Sequence, residues 1–258
     1  MVKGGWEREA LGDVHAASDK ATRVRSMFAA IAPSYDLNNR LHSLGLDQWW
    51  RRRLVAMAGV KAGDEVLDVA TGTGDVALAF ARRGCRVVGV DFTAELLRIA
   101  QGKRVGKGFV EPVYMAGDAT RLPMADGAFD VVSIAFGIRN VDRPEVALAE
   151  FYRVLRPGGR LVILEFSTPG FAPVRWVNSL YCDVIMPRTA AWIAGDRVNA
   201  YRYLPASVAS FMSADEMKGA MRAAGFAEVE DRGLTLGVAR VYRGVKPCFA
   251  KATQGSVV

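Results

Sequence analysis

A chain of 258 residues, 51% apolar and 24% charged, has enough nonpolar side chain to bury one large core. Its net charge of +7 permits contact with anionic lipid or nucleic acid without demanding either, and no basic-aromatic reader of nucleic acid stands out. Scattered Cys85, Cys182 and Cys248, with only His15 and His42 beside them, argue against a disulfide framework and a zinc-type cluster, so a reduced, cytoplasmic protein without a metal is expected.

Residues 1–17 are polar, carry no apolar leader segment, and are expected to be flexible. Residues 18–60 read as two or three short helices forming a lid, broken near Pro33-Ser34-Tyr35-Asp36 and near Ser43-Leu44-Gly45. From Asp64 the pattern changes. β-rich runs at Val66–Val69, Arg86–Asp91, Val113–Ala116, Asp130–Ala135 and Arg160–Phe166 alternate with helical stretches at Asp75–Arg83, Thr93–Arg104 and Arg143–Leu155. This alternation predicts an α/β fold with right-handed crossovers, a mostly parallel sheet, and a ligand site beyond the carboxyl ends of the strands. Residues 167–212, with four prolines and many aromatics, are expected to form a helical cap. Its most apolar stretch, Trp176–Ile193, is interrupted by Asn178, Asp183, Pro187 and Arg188, which argues against a membrane span. A helix over Ser213–Ala224 opens on a capping box, Ser213 with Glu216, and stops at Gly225. Runs at Ala227–Asp231 and Leu234–Tyr242 predict a closing antiparallel hairpin. The tail from Lys246 is expected to be flexible, and the whole chain reads as a single domain.

The most informative stretch is Glu65-Val-Leu-Asp-Val-Ala-Thr-Gly-Thr-Gly-Asp75, a buried strand running into a glycine turn and a helix start. Gly72-Thr73-Gly74 lets the backbone approach a ligand closely. The spacing Gly72-x-Gly74-x-x-Ala77 also satisfies the relaxed dinucleotide fingerprint, so a nicotinamide-dependent oxidoreductase is one reading. Charge points elsewhere. Asp75 occupies the helix start where a pyrophosphate would lie, and Asp68 precedes the turn. Acids there repel phosphate and attract the sulfonium and amino group of S-adenosylmethionine (SAM). Asp91, ending the second strand, is placed to grip ribose hydroxyls. Phe92 after it is placed to pack on adenine, and Asp118, followed by Ala119, to accept from the adenine amine.

Residues 64–166 resemble class I SAM-dependent methyltransferases, with Asp126-Gly-Ala-Phe-Asp130 and Arg153-Val-Leu-Arg-Pro-Gly-Gly159 as later motifs. Three further segments resemble the quinone C-methyltransferases of menaquinone and ubiquinone biosynthesis. They are Met27-Phe-Ala-Ala-Ile-Ala-Pro-Ser-Tyr-Asp-Leu-Asn-Asn-Arg-Leu-His-Ser-Leu-Gly45, Phe136-Gly-Ile-Arg-Asn-Val141 and Tyr201-Arg-Tyr-Leu-Pro-Ala-Ser-Val208. With Leu155–Ser167 they carry the resemblance over roughly residues 20–245. Where the family often has a serine near the cofactor this chain has Ala135, but Ser133 lies two positions earlier on the same strand face.

The resemblance implies a Rossmann-like sheet with a C-terminal hairpin, SAM as cofactor, and a polyprenylated quinol as substrate, demethylmenaquinol before its ubiquinone-pathway counterpart. It implies that Arg139, Asn140 and Tyr35 face the quinol. A ring carbon attacks a methyl group only once its neighbouring hydroxyl becomes a phenolate, so the site needs a proton acceptor or a stabilising cation. Arg139 suits the second role, Asn140 would orient a ring oxygen, and Tyr35 would close the site. An ion pair of Arg139 with Asp142 or Asp36, packing for Tyr35, and helix capping by Asp36 and Asn38 are the plainer readings. A lipid substrate implies peripheral membrane contact. Trp49-Trp50-Arg51-Arg52-Arg53 reads as interfacial or as core plus solvated face, and Trp176, Leu180, Tyr181 and Ile185 as an apolar lip. A small soluble phenol as substrate, a non-catalytic SAM-binding role and a homodimer are left open.

Overall fold

The computed structural model describes Val14 and residues 19–185 and 200–248, excepting the side chains of residues 183, 185 and 200–202. Helices α1 (Lys20–Ile31), α2 (Tyr35–His42) and α3 (Leu46–Ala58) open the fold. Strands β1 (Glu65–Val69), β2 (Arg86–Asp91), β3 (Val113–Ala116), β4 (Phe129–Ala135) and β5 (Leu155–Phe166) then alternate with α4 (Asp75–Ala81), α5 (Ala94–Gly102) and α6 (Pro144–Val154). The expected cap contributes α7 (Ala172–Leu180), a wider helical turn over Tyr181–Ile185, and α8 (Ala200–Ala209). The chain ends on α9 (Ala214–Ala223), β6 (Ala227–Leu234) and β7 (Ala239–Val245).

The seven strands form one sheet in the order β3-β2-β1-β4-β5-β7-β6. The first five pair in parallel, while β7 runs antiparallel to both β5 and β6. The final hairpin therefore inserts its second strand next to β5. Chain direction reverses its crossovers between β1 and β4, and a crevice opens there at the carboxyl ends. Alternate residues of each strand feed the two faces. Val66 and Val131 join one buried cluster with Trp50, Leu54 and Phe80. Leu67 and Val132 join the other with Leu148, Phe151 and Met221.

At three places the structure adds to the sequence reading. Trp50 is 3% exposed, packs against both Phe136 and Phe166, and donates its indole N–H to Thr235 Oγ1 at 2.8 Å. It is a core residue, since Trp50, Leu54 and Ala58 recur every fourth position and form the buried stripe of α3. The tail does not loosen at Lys246, whose ammonium donates to the carbonyls of Tyr152 and Leu155 at 2.7 and 2.8 Å. Within the opening segment Val14 is fully buried beside Val24, Met27 and Tyr203; the rest of residues 1–17 and residues 249–258 lie outside the described residues.

Candidate active site

The strand ends supply an acidic, strained rim. Ala70 and Phe136, the residues following β1 and β4, hold φ of +50° and +56°. Left-handed backbone costs a non-glycine residue about 1–2 kcal/mol and gathers where structure serves function. Gly72 and Gly74 share it without that cost, at φ +56° and +81°. A Cβ at Gly74 would stand 2.4 Å from the Tyr114 hydroxyl, so a side chain there would also have to displace that ring.

Asp91 organises the turn. Its Oδ2 accepts from Gly72 N–H and its Oδ1 from Thr93 N–H, both at 2.8 Å. Burial pushes its carboxyl above the ordinary range, against the pull of those backbone donors. Asp91, Gly72, Phe92, Asp118 and Ala119 all line one cavity of about 190 Å³, together with Val69, Ala70 and Phe28. Phe92 also packs on the α1 cluster. Asp118 Oδ1 accepts from the backbone and hydroxyl of Thr120, both at 2.8 Å.

Four other candidates stand behind that cavity. Asp68 and Ser133 are register partners on β1 and β4, so their side chains meet: Ser133 Oγ donates to Asp68 Oδ1 at 2.7 Å, and Thr71 Oγ1 to Oδ2 at 2.6 Å. Thr73 donates to Asp36 Oδ1 at 2.6 Å, and Gly74 is the N-cap of α4. Asp75 is turned away from any ligand role, bound by Lys103 Nζ at 2.6 Å and Gln48 Nε2 at 3.0 Å. Lys103, distant in the chain, neutralises the charge that the local sequence left bare, and the Gln48 amide adds a neutral donor. Lys103 also reaches Asp36 at 2.7 Å, so α2 is tied to the glycine turn twice, and Asp36 is no mere helix cap.

Burial pushes the Asp68 carboxyl up to about 6, despite its two hydroxyl donors. A carboxyl raised on folding is held more tightly as the acid. Its contribution is therefore lost as pH climbs from the ordinary value of 3.8 toward 6, and the full cost is felt above that. Asp68→Asn is expected to gain about 1–2 kcal/mol at pH 8, the gain shrinking toward pH 4.5, because a hydroxyl can turn to accept from the amide. Melting curves across that range measure it, and a loss largest at pH 8 would contradict the assignment.

A second cavity, of about 360 Å³ and mostly apolar, adjoins the first. Phe28, Tyr35 and Phe136 line both. Burial raises the Tyr35 phenol, which therefore stays protonated near neutrality. Arg139 lines the second cavity at 5% exposure, neither at the surface nor paired with Asp142 or Asp36. It binds Glu165 Oε1 at 2.5 Å and Phe136 O at 2.9 Å, and lies over the Phe166 ring at 5.3 Å. Asn140 borders the first cavity; its Oδ1 accepts from Tyr203 OH at 2.9 Å. Tyr203, pushed up to about 12 by burial, remains a donor.

Sequence reasoning missed Glu165, Arg51, Asp47 and Asn38. Glu165 had one signal, a lone acid inside the apolar run Leu161-Val-Ile-Leu-Glu165-Phe. Asn38 was read as a cap, yet it is fully buried in α2 and lines the larger cavity, with Nδ2 on Ser34 O at 3.0 Å and Oδ1 unpartnered.

The ubiE/COQ5 methyltransferase family matches residues 16–246. The chain belongs to that family. It is 48% identical to the demethylmenaquinone methyltransferase of Thermus thermophilus, over 86% of this chain and all of that protein. It is 42% identical to a ubiquinone/menaquinone biosynthesis C-methyltransferase of a Geobacter species, over 90% of this chain and all of that one. A SAM-dependent methyltransferase structure from Thermotoga maritima superposes with a TM-score of 0.62 at 20% identity, over 86% of this chain and 99% of that one, which shows the shared fold. This ubiE/COQ5 member is thus a SAM-dependent methyltransferase of quinone biosynthesis with a class I fold. The oxidoreductase reading of the glycine turn falls with that finding. Among the described residues no helix is long and apolar enough to cross a membrane.

Proposed function

We propose that the protein methylates a ring carbon of a polyprenylated quinol, demethylmenaquinol in particular. The observation that carries this reading is the adjacency of two unlike cavities across Phe28, Tyr35 and Phe136, one rimmed by acids and the other apolar with a buried guanidinium. The acidic cavity suits SAM: Asp91 would take the ribose hydroxyls, Phe92 and Ala119 would flank the base, Asp118 would accept from its amine, and Gly72 would admit close approach. Asp68, Thr73, Gly74 and Ser133 hold the turn beneath it. When bound, SAM supplies an electrophilic methyl on a sulfonium.

The chain's own residues do the rest. Arg139, a guanidinium paired with Glu165, stabilises the phenolate as a donor and does not act as the base. Asn140, fixed by Tyr203 on the donor side of the partition, would orient a ring oxygen that reaches across it. Tyr35 closes the partition and excludes water, so that both reactants are held aligned. The N-terminal helices serve as the lid.

The larger cavity is bordered by α2 and α7, whose Leu37, Leu41, Trp176 and Leu180 are exposed by 44–69%. Such a rim suits a prenyl tail leaving a bilayer, with the protein bound peripherally at the cytoplasmic face. Truncating the tail is expected to lower kcat/KM. Purified protein offered SAM and either a demethylnaphthoquinol or a methoxybenzoquinol decides the ring; the relatives' shared naming keeps the second ring in the comparison. Methylation of neither ring overturns the reading.

A further inference from the structure

Arg51, the first arginine of Trp49-Trp50-Arg51-Arg52-Arg53, faces the larger cavity. It is 9% exposed and lines that space. Its guanidinium carbon lies 5.9 Å from the Phe136 ring centroid, as that of Arg139 lies 5.3 Å from Phe166. The two rings pack at 4.5 Å between centroids. Each arginine has its own buried carboxylate, Asp47 for Arg51 and Glu165 for Arg139. The cavity therefore carries two cationic poles around one aromatic surface. Among the described residues Arg51 enters ion pairs through Nη1, with Asp47 and at 3.8 Å with Asp75, which leaves Nε and Nη2 as donors for an occupant.

Asn38 points independently to a polar ligand on this side. It lines the same cavity, and its buried Oδ1 has no hydrogen-bond partner among the described residues. An acceptor left so costs about 1–3 kcal/mol. A donor on α3 and an acceptor on α2, from two residues lining one cavity, match a hydroxyl, which takes one hydrogen bond and gives one.

Resting on the quinol reading above, we infer that Arg51 and Asn38 recognise the second ring oxygen, para to the one that Arg139 stabilises. Arg51 donates to that oxygen and Asn38 accepts its hydrogen. The site then selects a para-dioxygenated ring in its reduced, hydroxyl-bearing form. A monophenol leaves both residues unmatched, and a quinone carbonyl leaves Asn38 unmatched.

The test measures kcat and KM for a naphthalene para-diol and for the monophenol lacking the distal hydroxyl, in the wild type, Arg51→Met, Arg51→Lys and Asn38→Leu. Melting shifts with S-adenosylhomocysteine report on fold and donor site. The wild type should prefer the diol by at least about a hundredfold in kcat/KM, since a site built around a hydroxyl rejects the analogue without it. Arg51→Met should lower the constant for the diol at least about tenfold more than that for the monophenol, through KM. Arg51→Lys should fall between, and Asn38→Leu should narrow the preference too. Equal losses on both rings, an unchanged ratio, or a wild type indifferent to the second hydroxyl would overturn the inference while leaving quinol methylation standing. A wild type that methylates neither ring overturns both. Should Arg51→Met fail to fold, the ratio in Arg51→Lys and Asn38→Leu decides.

Discussion

Replacing Arg139 by methionine is expected to cut methyl transfer at saturating quinol by at least about a hundredfold and to lower stability at once. The two losses have different origins. Arg139 and Glu165 are 5% and 1% exposed, so removing the guanidinium strands a carboxylate in a dry interior. Breaking such a pair from one side costs about 3–5 kcal/mol, or about 10 °C in melting temperature for a chain of this size. The catalytic loss comes from the phenolate, which loses the cation placed where its charge develops. Deleting one such preorganised donor costs about 10²–10³ in turnover. A second substitution separates them. Arg139→Met with Glu165→Gln removes both charges yet keeps an amide oxygen for the Phe166 N–H, which Glu165 accepts at 2.9 Å. The double variant should regain most of the melting temperature and none of the turnover. Recovery of turnover, or a single variant near wild-type rate, would take Arg139 out of the chemistry.

Asp91→Asn is expected to weaken S-adenosylhomocysteine binding about a hundredfold. Both carboxylate oxygens already accept a backbone N–H, from Gly72 and from Thr93. An asparagine must point its amide hydrogens at one of those donors, which pushes the glycine turn out of place. It also forfeits charge-assisted bonds worth about 1.5–3 kcal/mol each, and a hundredfold in affinity is about 2.7 kcal/mol. Titration calorimetry reads the change. A dissociation constant within threefold of the wild type would mean that Asp91 serves the turn alone.

What could be read from sequence followed from local pattern. The run Arg86-Val-Val-Gly-Val-Asp91 puts its acid at the end of a strand, and β2 ends there. The strand spans of β2 and β3 are as the alternation predicts. Asp75 went wrong because its field is set by Lys103 and Arg51, far along the chain in opposite directions. Arg51 was hidden by its neighbours: a cation among aromatics looks the same beside a membrane or facing a cavity. The buried, four-residue recurrence of Trp50, Leu54 and Ala58 was the available clue, since it fixes which way α3 turns. The start of β5 was also missed. It pairs Leu155 with Phe129 ahead of a register shift, across a Pro-Gly-Gly segment that local rules assign to a turn.

Helix α2 is fastened to the glycine turn by Asp36 and Thr73, and Lys103 bridges Asp36 to Asp75. Tyr35, on the same helix, stands between the two compartments. Swinging α2 aside therefore unseals both at once. On the proposed reading, spent donor and methylated quinol would depart through a single opening event that ruptures the same partly hydrated ion pairs, so product escape is expected to speed up with ionic strength.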